Sequence, residues 1–96
     1  MKPSKVLAQY RETIRRIIAR GPLSNPRVFG SVVRGDDHEG SDLDLLVDAS
    51  PGTTLFDLGA LQADLEDALG VRVDLLTPDD LPPRMRERVL REAKPV

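Results

Sequence analysis

Cysteine is absent from this chain of 96 residues, so neither a disulfide framework nor a thiolate metal site is open to it. Aromatic residues are scarce. Tyr10, Phe29 and Phe56 leave little ring surface on which bases could stack. The single histidine, His38, stands in a polar stretch, where a solvated side chain is expected rather than a ligand or a base. No run is long and apolar enough to span a bilayer. The opening MKPSKVLAQYRETIRRIIAR is charged throughout and lacks the apolar centre of a secretory signal. These absences point to a soluble, cytoplasmic protein without a membrane role, and the length to a single domain over residues 1–96.

What is present is charge, and it is segregated. Residues 1–27 carry a net +6, residues 28–80 a net −11 and residues 81–96 a net +3. An acidic centre between basic ends is poorly suited to gripping a phosphate backbone, so no direct nucleic-acid partner is expected.

Hydrophobic periodicity divides the chain into elements. Val6, Leu7, Tyr10, Ile14, Ile17 and Ile18 recur at helical spacing within residues 4–20, and Gly21-Pro22 ends that helix. Arg27-Val28-Phe29 reads as a short strand after Pro26, and Gly30-Ser31 turns into a brief helix. A loop from Gly35 to Gly40 leads to a second strand, Leu43–Asp48. Residues 54–69 align Leu55, Leu58, Leu61, Leu65 and Leu69 on one helical stripe closed by Gly70. Val71–Leu76 reads as a third strand and residues 81–92 as a last helix, with Pro82 and Pro83 tolerable only in its first turn. The order αβαβαβα predicts an α/β (α+β) fold, a small mixed sheet of three or more strands flanked by helices.

The chemistry is concentrated in GSVVRGDDHEGSDLDLLVD, residues 30–48. Residues i and i+2 of a strand share a face, so Asp42 and Asp44 project together while Leu43, Leu45 and Val47 turn to the core. Asp74 sits in Val71-Arg72-Val73-Asp74-Leu75-Leu76, again between apolar neighbours. Pairing of the second and third strands in suitable register would bring three carboxylates to one end of the sheet. Unpaired, they would repel one another and take up protons. A divalent cation relieves that conflict, and hard oxygen ligands suit Mg²⁺ or Mn²⁺. An Asp-x-Asp alone is more often a cap or a solvated edge. The glycine-serine turn after one strand, the fixed interval and the third Asp in the next strand together set this one apart.

The turn has a matching role. Gly30 lets backbone approach a phosphate with no Cβ in the way, and Ser31 offers a hydroxyl and an amide where a short helix begins. Arg34, one turn later, either holds a phosphate oxygen or pairs with Asp36 or Asp37 at the surface.

Gly30-Ser31, ten intervening residues and then Asp42-Leu43-Asp44 resembles the signature of the DNA polymerase β-like nucleotidyltransferases. The longer pattern, Gly-Ser-x-x-Arg-Gly followed by Ser-Asp-x-Asp-Leu, is similar to that of the minimal nucleotidyltransferase branch. Asp74 stands where that family's third carboxylate would fall. The resemblance implies the polymerase β-like nucleotidyltransferase fold, with Asp42 and Asp44 holding the metal that meets the triphosphate of ATP. Asp74 would complete a second metal site and help to deprotonate an attacking hydroxyl. Gly30, Ser31 and Arg34 would contact the nucleotide.

Short stand-alone members of that family imply an acceptor as well. They are often antitoxins encoded beside a HEPN-family ribonuclease toxin, so the resemblance implies a protein that binds such a toxin and transfers AMP from ATP to a tyrosine on it. Two other readings stand beside this one: a non-catalytic antitoxin that neutralises its partner by contact alone, and a small-molecule nucleotidyltransferase. The lack of a second, substrate-holding domain disfavours the latter. The last helix either presents Arg84, Arg86 and Arg88 to the partner or is an ordinary amphipathic helix with Leu81, Met85, Val89 and Leu90 turned inward.

Overall fold

The computed structural model describes all residues, 1–96. Helix α1 (Pro3–Ala19) leads into strand β1 (Leu23–Phe29) and the single-turn helix α2 (Ser31–Arg34). Strand β2 (Leu43–Ala49), helix α3 (Leu55–Leu69) and strand β3 (Val73–Leu76) follow. A 3-10 turn at Pro78–Asp80 precedes helix α4 (Pro83–Glu92) and a two-residue strand β4 (Lys94–Pro95). The sheet order is β3-β2-β1-β4, with β2 and β3 parallel and the other pairs antiparallel. The parallel pair exists because α3 crosses over between its two strands. The predicted helices and strands are therefore present in a mixed sheet, with β4 as an added strand.

Strand β3 begins at Val73, two residues later than the expected Val71, and β1 and β4 depart from expectation for local reasons. Strand β1 begins at Leu23, not after Pro26, because a bulge accommodates the proline: its register against β2 shifts between Ser24 and Arg27. Asn25 takes a φ of 52°, a conformation asparagine tolerates better than most residues. Strand β4 is too short for any periodicity. It is held by pairing with Arg27 and Val28, and its neighbour Val96 donates its amide to Pro26 O and is buried.

The sheet separates two apolar layers. On one face Val6, Ile14 and Ile18 of α1 and Leu61, Leu65 and Leu69 of α3 pack against Val28, Leu43, Leu45 and Val47. On the other face Phe29 and Leu46 are covered by Leu81 and by Val89 of α4. Strand β2 thus buries Leu46 as well as the expected alternate positions, which places it in the middle of the fold. The leucine stripe of α3 fails at its first turn, where Leu55 is 80% exposed. Leu90, expected inside, is likewise exposed.

Candidate active site

Register decides where the acids meet. Phe29 lies opposite Asp44, and Asp44 opposite Asp74, so these three side chains form one row across β1, β2 and β3. Leu43 and Leu45 occupy the α1–α3 layer, which turns Asp44 to the opposite face, the one α4 covers further along. Asp42, one residue before β2, lies beyond the covering side chains at the edge of the same face.

The electrostatics follow from this placement. Partial burial, then the negative charges of Asp74 and Asp42, push the Asp44 carboxyl up to about 6, while the Arg34 guanidinium pulls in the opposite direction. Asp42 pairs with Arg72, whose Nε stands 3.0 Å from Oδ1. That approach lacks hydrogen-bond geometry, and the same solvent-shielded oxygen has no hydrogen-bond partner. Asp74 and Asp42 stand close enough to Asp44 to raise its proton affinity, yet the oxygens of the three are not gathered into a ligand set for a metal ion. Mutual repulsion and the pull of Arg72 on Asp42 account for the spread. The donors fit a hard divalent cation in kind: three carboxylates, one raised to about 6 by burial and its neighbours and one with an unsatisfied oxygen.

Gly30 joins this row from β1. Its φ of 77° lies in the region favoured by glycine, and it begins α2. A Cβ built on it would collide with Asp44 Oδ2 and stand 3.1 Å from Asp44 Cγ. The glycine is therefore required by the carboxylate beside it, a reason that differs from the phosphate approach read in the sequence. Ser31 opens α2 half-buried, and its hydroxyl makes no hydrogen bond within the chain. Arg34 lies between Glu92 of α4, at 3.6 Å, and Asp36, at 3.7 Å, so the surface-pairing alternative is realised while its charge still reaches Asp44.

Two participants were missed in the sequence. Arg72 precedes Asp74 by the same two residues that separate Asp42 from Asp44, so strand counting alone carried the signal once the register was known. Glu92 reaches Arg34 from a helix remote in sequence and had no such signal. The loop joining Ser31 to Asp42 is anchored by Asp37, the one buried polar or charged residue, which accepts a 2.8 Å hydrogen bond from the Ser4 amide. A shallow cavity of about 230 Å³ lies nearby, between Met1, Gly40–Ser41 and Gly70–Arg72, and includes none of the three carboxylates. No helix is long and apolar enough to cross a membrane.

Comparison with known proteins agrees with this geometry. A family model described as nucleotidyltransferase domain matches residues 11–96. A candidate protein adenylyltransferase of Methanocaldococcus jannaschii is 38% identical over 77 residues, spanning 80% of this chain and 83% of that protein. The solved structure of a candidate minimal nucleotidyltransferase has 48% identity and a TM-score of 0.84, covering 97% of this chain and 95% of the other. A crystal structure of a toxin-antitoxin with AMP-PNP shares the fold at 24% identity, with a TM-score of 0.75 over 88% of this chain and 69% of that one. The chain belongs to the nucleotidyltransferase family, in its minimal branch.

Proposed function

We propose that this nucleotidyltransferase transfers AMP from ATP to a tyrosine hydroxyl of a partner HEPN-family ribonuclease toxin and serves as its antitoxin, using Mg²⁺ or Mn²⁺. The observation that carries the catalytic part is the row formed by Asp44 and Asp74 beside the Gly30-Ser31 turn. The relative named for protein adenylylation and the toxin-antitoxin structure with AMP-PNP support a protein acceptor, a toxin partner and an adenine nucleotide.

In this reading Asp42, Asp44 and Asp74 would hold the divalent cation, which would supply positive charge to offset the triphosphate when bound. Ser31 donates its free hydroxyl to a phosphate oxygen, and the backbone at Gly30 leaves room for that approach. Arg34 swings from Glu92 to a second phosphate oxygen. Asp74 accepts the proton of the incoming hydroxyl, whose oxygen bonds to the α-phosphorus as the bond to the bridging oxygen breaks and pyrophosphate leaves. Placement of charge, with no covalent enzyme intermediate, carries the chemistry.

The test is to incubate the purified chain with its genomically neighbouring toxin, ATP and Mg²⁺, and to weigh the toxin. One or more adenylyl additions are expected, and none with Asp42→Asn/Asp44→Asn, which relieves repulsion and keeps the fold. Undiminished transfer by that variant would overturn the assignment.

A further inference from the structure

The outward face of α3 combines apolar surface with charge of one sign. Phe56 is 89% exposed, one of only three aromatic residues in the chain. Ala60, Ala63 and Asp67 follow it at helical spacing on the side away from Leu61 and Leu65, and all are exposed. The helix contains Asp57, Asp64, Glu66 and Asp67 and no basic residue. Asp57 is committed to the Thr54 amide and Glu66 to the Val73 amide. Asp64 and Asp67 have no ion-pair partner.

Its neighbour α1 presents the opposite charge. Arg11 and Arg15 reach the C-terminal carbonyls of Pro95 and Val96, and Arg15 also meets Glu12. The side chains of Arg16 and Arg20 are exposed, with neither a hydrogen bond nor an ion pair. The two helices run side by side in opposite directions: Gly21, just after α1, abuts Leu61, while Met1 and Gly70 border the same cavity.

We infer that two copies of this chain pair through these helices about a two-fold axis parallel to them, with α1 of each copy lying on α3 of the other. That operation brings Arg16 and Arg20 to Asp64 and Asp67 twice, by symmetry. It also brings Phe56, just over a turn beyond the level of Leu61, to the rim of the pairing past the C-terminal end of the partner's α1, where the stem of Arg20 is the apolar surface nearest to it. Pairing of α1 with α1, or of α3 with α3, would oppose like charges and is disfavoured. Because α1 and α3 lie on the sheet face away from Asp44, the pair would present its two carboxylate rows outward, in opposite directions.

Sedimentation velocity of the purified chain alone, at low salt, tests this. A dimer is expected, weakened at least about tenfold by Phe56→Asp, an exposed position whose change leaves the far-ultraviolet circular dichroism unaltered. It is also expected to weaken as salt rises. Arg16→Glu/Arg20→Glu and Asp64→Arg/Asp67→Arg should each be monomeric alone and should form a heterodimer when mixed, because each helix again meets its opposite. A monomeric native chain would overturn the inference and leave the face to a different partner. A dimer indifferent to all three sets of changes would overturn it equally.

Discussion

At Gly30 two requirements meet in one residue. The positive φ launches α2, and the missing Cβ makes room for the carboxylate of Asp44. Gly30→Ala is therefore expected to destabilise the fold by about 2–3 kcal/mol, from backbone strain and displacement of Asp44. Urea melts would show it. Asp44 itself makes a second prediction, for the metal-free protein. The folded chain retains its proton up to about 6, whereas the unfolded chain releases it near 3.8. More protons are bound by the folded state within that window, so stability falls as pH rises through it. Asp44→Asn should then be the more stable protein at neutral pH by about 1–2 kcal/mol, allowing for its partial exposure. The advantage should fade below 3.8, as denaturant melts across pH in chelator would reveal. For Ser31, loss of the hydroxyl in Ser31→Ala is expected to lower kcat/KM for ATP by about 1–2 kcal/mol, in the range of a hydrogen bond to a charged group. Unchanged kinetics would reduce the turn to a structural one.

Among the elements, the loop from Gly35 to Asp42 gains order through Asp37. Burial alone would push its carboxyl up, but the hydrogen bond from the Ser4 amide and the charge of Lys2 hold it below the usual range. The bond caps the first turn of α1 and fixes the loop that spaces Ser31 from Asp42. Asp37→Ala should lower stability by about 1–2 kcal/mol, with Asp37→Asn recovering part of it as a neutral acceptor. Because the carboxylate is the stabilised form, the native advantage over Ala is present above 3.8 and lost as pH falls below it. Edge strand β3 is guarded in a similar way. Gln62 and Glu66 of α3 accept from the amides of Leu75 and Val73, occupying donors that would otherwise invite another strand. The α3 periodicity that predicts a buried stripe from Leu55 to Leu69 holds only where the sheet lies beneath it. Its first turn has nothing packed on it, and Leu55 and Phe56 stay in solvent.

Over the whole molecule, the charge segregation seen along the chain becomes a spatial one: basic α1 lies beside acidic α3 on one face of the sheet, and basic α4 shares the other face with the carboxylate row. Of the three arginines expected to meet a partner, Arg86 is committed internally, donating to Pro78 O and Leu81 O and so holding the 3-10 turn to α4. Arg84 and Arg88 are exposed and form no ion pair. Arg84→Glu/Arg88→Glu is expected to slow capture of the proposed toxin about tenfold at low salt, the effect shrinking as salt rises. Arg86→Glu should instead lower the melting temperature. Equal association rates for the native and doubly reversed chains in stopped-flow mixing would move the docking edge away from α4.

The local features of this protein are written in its sequence. Alternation about Leu43, Leu45 and Val47, helical repeats in α1 and α3, and glycine punctuation are short-range physics, and they suffice for the helices, the existence of β1, β2 and β3 and the shared face of Asp42 and Asp44. What joins distant segments was decided by the tertiary structure. The register that sets Asp44 beside Asp74, the contact of Gly30 with Asp44, and the pairing of Arg72 with Asp42 and of Arg34 with Glu92 all depend on strand pairing and helix packing. The burial of Asp37 against α1 and the addition of β4 beside β1 belong to the same class. A residue's own neighbours in the chain set its conformation and the side it faces. Only the folded assembly determines what stands opposite, and at this site that is what shifts a carboxyl's proton affinity and makes a glycine indispensable.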